Sequence, residues 1–366
     1  MATLLRDPGA AGGPRRGLRD RLWRVAEAAA YPRTPADYLD MFRPLRAGAD
    51  LRARVVEVRP ETADAVTVVL QPGAAWRGHR PGQYVRVGLD VDGVRLWRSY
   101  SLTSVPGSAD GLITITARAV PDGLVSAHLA QHLRPGQLVQ IDQALGDFVL
   151  PDPAPGKVLF ITGGSGITPV MGMLRAGLDR LDDVVLVHSE ASADAVIFGA
   201  ELRSLADAGR LRLVEQHTDE HGRLDVAELA ALVPDLAERQ TWACGPAGLL
   251  DAIEDHWSTL GPDQLHTERF RTALAAPGDG GTLTFSGSGT VLEVDGATPI
   301  LDAGEQAGLL MPSGCRMGIC YSCVLPLREG TVRDLRSGDL TTAAPGDGVL
   351  IQTCVSAAAG ACDIDL

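Results

Sequence analysis

Three cysteines on one short loop constrain this chain more than any other feature. Cys315, Cys320 and Cys323 form C-x4-C-x2-C, and Cys354 follows after thirty further residues. Four thiolates converging on two irons need this layout, three from a tight loop and the fourth from a distant part of the same module. It is the plant-type [2Fe–2S] spacing. Gly314 and Gly318 let such a loop turn with its N–H groups toward the sulfurs. A structural zinc site or unrelated thiols are the competing readings. Zinc more often shows two short Cys or Cys/His pairs, which favours the cluster. Cys362 reads as a small buried apolar residue.

Composition excludes several classes. A length of 366 residues implies two or three domains. A net charge of −13 leaves no general basic surface, which argues against nucleic-acid binding and is compatible with a basic partner protein. No apolar run approaches the roughly 20 residues needed to cross a bilayer. Met1 to Gly13 lacks the order of a signal peptide. The expected location is therefore cytoplasmic, with cysteines present as thiols or metal ligands.

Patterning divides the chain. Gly17 to Ala30 reads as an amphipathic helix, with Leu18, Leu22, Trp23 and Val25 between arginines, and Thr34 to Leu45 as a second helical piece. Short strands follow at Arg54–Val58, Ala65–Gln71, Gln83–Leu89, Ser99–Thr103, Leu112–Ala119 and Leu138–Gln143. Pro-Gly and Asp-Gly turns separate them, which predicts an antiparallel barrel with one helix, Val125–Leu133. Then Val158–Thr162, Val184–His188, Leu211–Gln216 and Gln240–Ala243 alternate with helices, the first at Pro169–Leu181. That rhythm predicts a doubly wound parallel sheet. The expected division is a helical extension (1–47), the barrel (48–152), the parallel α/β domain (153–274), a loose linker (275–281) and a β-rich cysteine module (282–366).

Three further motifs carry chemistry. In Arg98-Ser99-Tyr100-Ser101, strand alternation puts Arg98 and Tyr100 on one face and Ser99 and Ser101 on the other. An arginine can pair with phosphate, an aromatic ring can cover an isoalloxazine, and a hydroxyl can bond a ring nitrogen. By itself the tetrad fits an ordinary half-buried strand equally well. Gly123-Leu124-Val125-Ser126 opens the barrel's helix, either as a phosphate site or as a simple capped helix. Gly163-Gly164-Ser165-Gly166-Ile167-Thr168-Pro169 follows an apolar strand and opens a helix, the context of a dinucleotide-binding turn, although it departs from G-x-G-x-x-G. Cys244-Gly245-Pro246 ends a later strand, where a thiol and bare backbone can face a nicotinamide, or simply make a tight turn.

Together these motifs resemble the ferredoxin–NADP reductase superfamily with a plant-type ferredoxin domain fused at the C-terminus, in that family's order, over about residues 51–366. The resemblance implies an antiparallel flavin-binding β-barrel, a doubly wound parallel α/β nucleotide domain and a β-grasp-like [2Fe–2S] ferredoxin domain. It implies FAD, with FMN as the alternative, a [2Fe–2S] cluster, and NADH or NADPH. Arg98 would contact the flavin phosphates, Tyr100 the isoalloxazine and Ser101 the neighbourhood of N5, and Gly123 and Ser126 would lie at the pyrophosphate. Gly163, Gly164, Gly166, Thr168 and Pro169 would receive the nicotinamide nucleotide, with Cys244, Gly245 and Pro246 beside the hydride-transfer position. Ser101 and Cys244 are thus the catalytic candidates. Phe270, in His266-Thr267-Glu268-Arg269-Phe270, would approach the flavin. Thr34-Pro35, Asp37-Tyr38-Leu39, the extended run Trp97 to Ser104, and Cys315 to Cys320 resemble a narrower group. These are actinobacterial-type ferredoxin reductases that supply acyl-lipid desaturases and related oxygenases. The partner implied is an oxygenase, desaturase or cytochrome P450, with peripheral membrane contact through it. Glu190 replaces the arginine that NADPH-using relatives commonly place after the second strand. An acid there can bond a ribose diol and repel a 2′-phosphate, which predicts a preference for NADH.

Overall fold

The computed structural model describes residues 35–91, 94–119, 124–270, 278–314, 316, 318 and 321–366. The expected helix at 17–30, Thr34, Gly123, Cys315 and Cys320 lie outside them. Strands β1 (Arg52–Pro60), β2 (Ala65–Pro72), β3 (Tyr84–Val91), β4 (Val94–Ser101), β5 (Ile113–Arg118) and β6 (Leu138–Ile141) form a sheet in the order β4-β3-β6-β1-β2-β5. All its pairings are antiparallel. A bridge from Leu102 to Ile115 joins the two ends, so the sheet closes into the expected barrel. Val68, Leu70, Val85, Val87, Ile115 and Ile141 fill it. The helix Leu124–Gln131 adds Val125 and Leu129, one turn apart on one face. β4 begins five residues earlier than expected, because Val94–Arg98 pair in unbroken register with Val91–Val87. With no bulge in that ladder, the alternation expected for residues 98–101 holds.

A second sheet comprises β7 (Lys157–Gly163), β8 (Asp183–Glu190), β9 (Arg212–His217), β10 (Gln240–Cys244) and β11 (Leu265–Glu268), all parallel, in the order β11-β10-β7-β8-β9. Helices cover both faces, so Val158, Leu159, Phe160 and Ile161 can all be apolar and buried. The short β11, polar in three of its four residues, gives no strand pattern in the sequence. Strand order reverses at β7, which opens a crevice at the C-terminal ends of β7 and β10. The helix expected at Pro169–Leu181 runs from Ile167 to Gly177, and a single tighter turn, Leu178–Arg180, continues it.

The third sheet holds β12 (Gly278–Phe285), β13 (Thr290–Gly296), β14 (Val324–Asp334), β15 (Leu340–Ala343), β16 (Val349–Gln352) and β17 (Ser356–Ile364). β12 and β17 are parallel, and the helix Ile300–Gln306 packs Ile300 and Leu301 onto the core around Phe285 and Leu327. The expected linker is shorter than 275–281, because Gly278–Gly281 already belong to β12. A side chain at Gly281 would meet the Gly360 carbonyl at 2.2 Å, so glycine here serves a close strand approach rather than looseness. Among the described residues, no helix is long and apolar enough to cross a membrane.

The helix Ile167–Gly177 joins the first two sheets. Gly172 lies so close to the barrel that an added Cβ would sit 2.4 Å from the Leu102 carbonyl oxygen. Arg175 on the same helix donates to the Thr103 carbonyl at 2.8 Å, while Glu201 holds its other nitrogens. Alanine normally favours a helix over glycine by roughly 1 kcal/mol. Gly172→Ala should nonetheless lose about 1–3 kcal/mol through overpacking, read as a lowered Tm in calorimetry. An unchanged or raised Tm would show that the contact is not tight.

Candidate functional site

The flavin tetrad occupies the end of β4. The Arg98 guanidinium is half-buried, donates to the Trp97 carbonyl at 2.8 Å, and forms no ion pair among the described residues. Burial, and then the nearby positive charge of Arg316, lower its pKa to about 10. A half-buried cation with no ion pair, on which Glu305 and Asp302 act only from beyond ion-pair distance, can take an anion, and a flavin phosphate supplies one. The Ser99 and Ser101 hydroxyls are buried without a hydrogen-bond partner. Such groups are costly unless a ligand completes them. Burial raises the Tyr100 phenol pKa, so its ring is neutral. Arg98 and Tyr100, on one face of β4, fit a flavin, while the two serine hydroxyls lie on the other face. Ser126 lies in the first turn of Leu124–Gln131, where a phosphate would meet helix N–H groups.

At the crevice, Gly163 ends β7, Gly164–Gly166 make one tight turn, and the following helix carries Pro169 in its first turn. Gly164 adopts φ 56°, the left-handed region. A Cβ on Gly166 would lie 2.0 Å from the Cys244 carbonyl oxygen, and one on Gly163 would lie 2.8 Å from the Pro246 ring. The glycine turn and Cys244-Gly245-Pro246 therefore form one continuous backbone surface, a cradle suited to a pyrophosphate. The Thr168 hydroxyl donates to Ser165 O at 2.9 Å, so it closes the turn.

Two placements were not expected. The Cys244 thiol is fully buried rather than displayed. Burial, with Glu268 beside it, raises its pKa well above the ordinary thiol value, so it is no thiolate. Glu268 pairs with Cys244 across β10 and β11. Burial pushes its carboxyl up to about 8, and Oε2 lacks a partner. This acid holds its proton at neutral pH. The sequence drew attention to its neighbour Phe270, whose ring is exposed, and burial is what singles out Glu268.

Glu190 ends β8 as expected, but it is not available as a lone acid. Arg118 of the barrel reaches across and places Nη2 2.7 Å from Glu190 Oε2 and 2.6 Å from Ala195 O. Glu190 Oε1 accepts from its neighbour's backbone N–H at 3.0 Å. The repulsion on which an NADH preference rests is thereby offset by a guanidinium. No strand pattern announces which distant residue β5 will bring there. Buried His188, on the same strand, is lowered to about 4 by burial and is neutral.

In the third module, β14 and β16 pair Val324 with Gln352, which brings Cys323 and Cys354 together with Sγ atoms 3.2 Å apart in the core. Gly318, at φ 73°, accepts from Gln352 Nε2 at 2.7 Å and from Arg336 Nη1 at 3.2 Å, and Arg316 is tied to Asp302 at 2.8 Å and to Glu305. Two converging buried sulfurs beside a loop braced at both these points fit a [2Fe–2S] cluster, with Cys315 and Cys320 as the remaining ligands the sequence supplies. Cys362 lies in the same core, and burial raises its pKa to about 11.

The raised Glu268 pKa carries a sign. Below about pH 4.5 the group is protonated whether the chain is folded or not. Between there and about pH 8 the unfolded chain releases the proton that the fold retains, so this residue costs stability as pH rises. Glu268→Gln should therefore raise stability over the parent by an amount that grows from pH 5 to pH 8, reaching about a few kcal/mol, read as a widening Tm difference. A pH-independent difference in Tm between the two would refute the buried, protonated state.

Comparison with known proteins follows the same three-part division. A family model described as "Oxidoreductase FAD-binding domain" matches residues 57–150, "Oxidoreductase NAD-binding domain" matches 160–255, and "2Fe-2S iron-sulfur cluster binding domain" matches 283–359. An "NADPH oxidoreductase" of Mycobacterium tuberculosis is 47% identical over 369 residues, covering 99% of this chain and 96% of the relative. A "Glycine betaine monooxygenase reductase subunit" of Chromohalobacter salexigens is 30% identical, over 82% of this chain and 91% of its own length. The solved structure of phthalate dioxygenase reductase shares the fold at TM-score 0.60 and 22% identity, covering 86% of this chain and 98% of that one. With near full-length identity to a relative and all three modules in order, the chain belongs to the ferredoxin–NADP reductase family with a C-terminal [2Fe–2S] domain, and it is an NAD(P)H-dependent oxidoreductase that passes electrons through flavin to that cluster.

Proposed function

We propose that this chain draws electrons from NADPH and delivers them to a membrane-associated oxygenase or desaturase, with its N-terminal helical segment forming part of the docking surface. The observation that carries the electron path is the hydrogen bond from Arg86, opposite Ser99 of the flavin strand, to Ser322, next in sequence to Cys323, at 2.9 Å. The cluster-bearing loop thus lies beside the flavin strand of the same chain. The flavin, when bound, supplies the conversion between hydride and single electrons. The residues do the positioning. Arg98 and the strand backbone at Ser99 and Ser101 hold the flavin, with Tyr100 against its ring and Gly123 and Ser126 at the phosphates. The turn Gly163 to Pro169 and the Cys244-Gly245-Pro246 backbone receive the nucleotide, Phe270 lies beyond β11, and Glu268 retains a proton beside Cys244. Cys315, Cys320, Cys323 and Cys354 ligate the irons. The corresponding division is a flavin domain at 48–152, a nucleotide domain at 153–274 and a cluster domain beginning at the start of β12.

NADPH is favoured over the NADH that Glu190 alone would suggest, because Arg118 neutralises that carboxylate. The 47% identical relative bears the name of an NADPH oxidoreductase. Steady-state kcat/KM should be at least as high for NADPH as for NADH. A tenfold preference for NADH, about 1.4 kcal/mol, would refute this.

An oxygenase-type acceptor accords with the reductase subunit named for glycine betaine monooxygenase. A membrane-side contact is supported by the helix Pro35–Phe42, which leaves Tyr38, Leu39 and Phe42 exposed, Phe42 to 83%. Replacing Leu39 and Phe42 with serine should leave NADPH–ferricyanide activity intact. It should weaken coupling to a membrane-embedded acceptor several-fold in reconstituted vesicles. Equal coupling by parent and variant would remove this segment from the docking surface.

A further inference from the structure

We infer that Arg86 is the positioning residue that locks the cluster-bearing loop onto the flavin strand, through a single hydrogen bond to Ser322. This rests on the electron path proposed above. Arg86 lies on β3, directly opposite Ser99 of the flavin tetrad. Its side chain is held on two sides by the barrel itself. Asp142, following β6, binds Nε and Nη2, and its own backbone N–H donates to Arg86 O at 3.1 Å. The guanidinium also lies over the Trp97 ring, 5.4 Å from its centroid. That ring is pressed so closely on Gly88 that an added Cβ would sit 2.9 Å from it. A guanidinium fixed at one edge and one face has its remaining nitrogen aimed in one direction. Here Nη1 donates to Ser322 Oγ at 2.9 Å, joining residues 236 apart in sequence.

Ser322 is the residue immediately before Cys323 and two after Cys320. The hydrogen bond therefore acts on the backbone between two cluster ligands. The other flank of the loop is secured within its own module, where Arg316 pairs with Asp302 and Glu305. Among the described residues, the Arg86–Ser322 bond is the one side-chain hydrogen bond from the barrel to this loop. Because Asp142 offsets the charge of Arg86, the contact contributes geometry more than potential. A small displacement of reacting partners can cost on the order of a hundredfold in rate, so a loop released from this bond should receive electrons more slowly while still binding its irons.

The test uses the full-length, cofactor-loaded protein with Ser322→Ala, Arg86→Gln, the double variant and Ser322→Thr. Rapid mixing with NADPH should bleach the flavin band at the parent rate in all four, and ferricyanide reduction should be unchanged. Bleaching of the cluster band should slow about tenfold in each of the first two, no further in the double variant, and recover with threonine. The cluster's midpoint potential should stay at the parent value. Deuterium uptake across Tyr321–Val324 should rise in Ser322→Ala and Arg86→Gln without rising across β3. A Ser322→Ala protein within twofold of the parent in both cluster bleaching and uptake would overturn the inference. So would slowing by Arg86→Gln alone, which would place its effect inside the barrel, or slowing explained by a shifted potential. A parent protein whose cluster is never reduced by NADPH would instead sink the underlying electron path, while the uptake comparison would still report on the lock.

Discussion

The contact between Gly166 and the Cys244 carbonyl is the constraint on which the rest of this molecule depends. It exists because the parallel sheet reverses its strand order at β7, so that the loops leaving β7 and β10 diverge over opposite faces from adjacent starting points. At that point the two backbones touch, and any side chain on Gly166 would overlap a carbonyl oxygen. The contact fixes where the helix Ile167–Gly177 begins. The helix in turn rests Gly172 against Leu102, immediately after the flavin strand. The glycine turn and the end of β4 are thus held in register by bare backbone, with little slack for side-chain adjustment.

Arginine performs most of the long-range positioning. Arg118 runs from the barrel to Glu190, Arg175 from the nucleotide domain to the barrel's Thr103 carbonyl, and Arg86 from the barrel to the cluster loop. Each is partly buried and each has a carboxylate within reach, so the planar fork is oriented and its charge is offset. Arg98 differs because, among the described residues, it forms no ion pair, Asp302 and Glu305 acting on it only from farther away. The difference separates arginines held in ion pairs from one left open, and it cannot be seen in a chain where nearly every basic residue is arginine.

Much of the site was legible in advance because it rests on local rules. The cysteine spacing, the glycine turn after an apolar strand and the alternation along Arg98–Ser101 each depend on a few neighbouring residues, and the regular β3–β4 ladder preserves that alternation. The elements that escaped notice were those without a local signature. β11 is short and polar and exists because β10 offers an open edge. The glycines at 278–281 look like a linker, yet they are glycines because two strands pass too close for side chains.

The sequence by itself determined the chemistry of this protein: which thiols can hold irons, which turn can cradle a phosphate, and in what order the three modules follow. Those properties depend on residue type and short spacing, which survive without a fold. Only the tertiary structure decided the charge states and the partners. Glu190 reads as a carboxylate able to repel a phosphate until Arg118 is seen beside it. Glu268 reads as an ordinary surface acid until burial raises its pKa to about 8, and Cys244 as a displayed thiol until the core closes over it. Desolvation and Coulombic pairing act through space over a few ångströms, and distances of that kind between residues far apart in the chain come into being only when it folds.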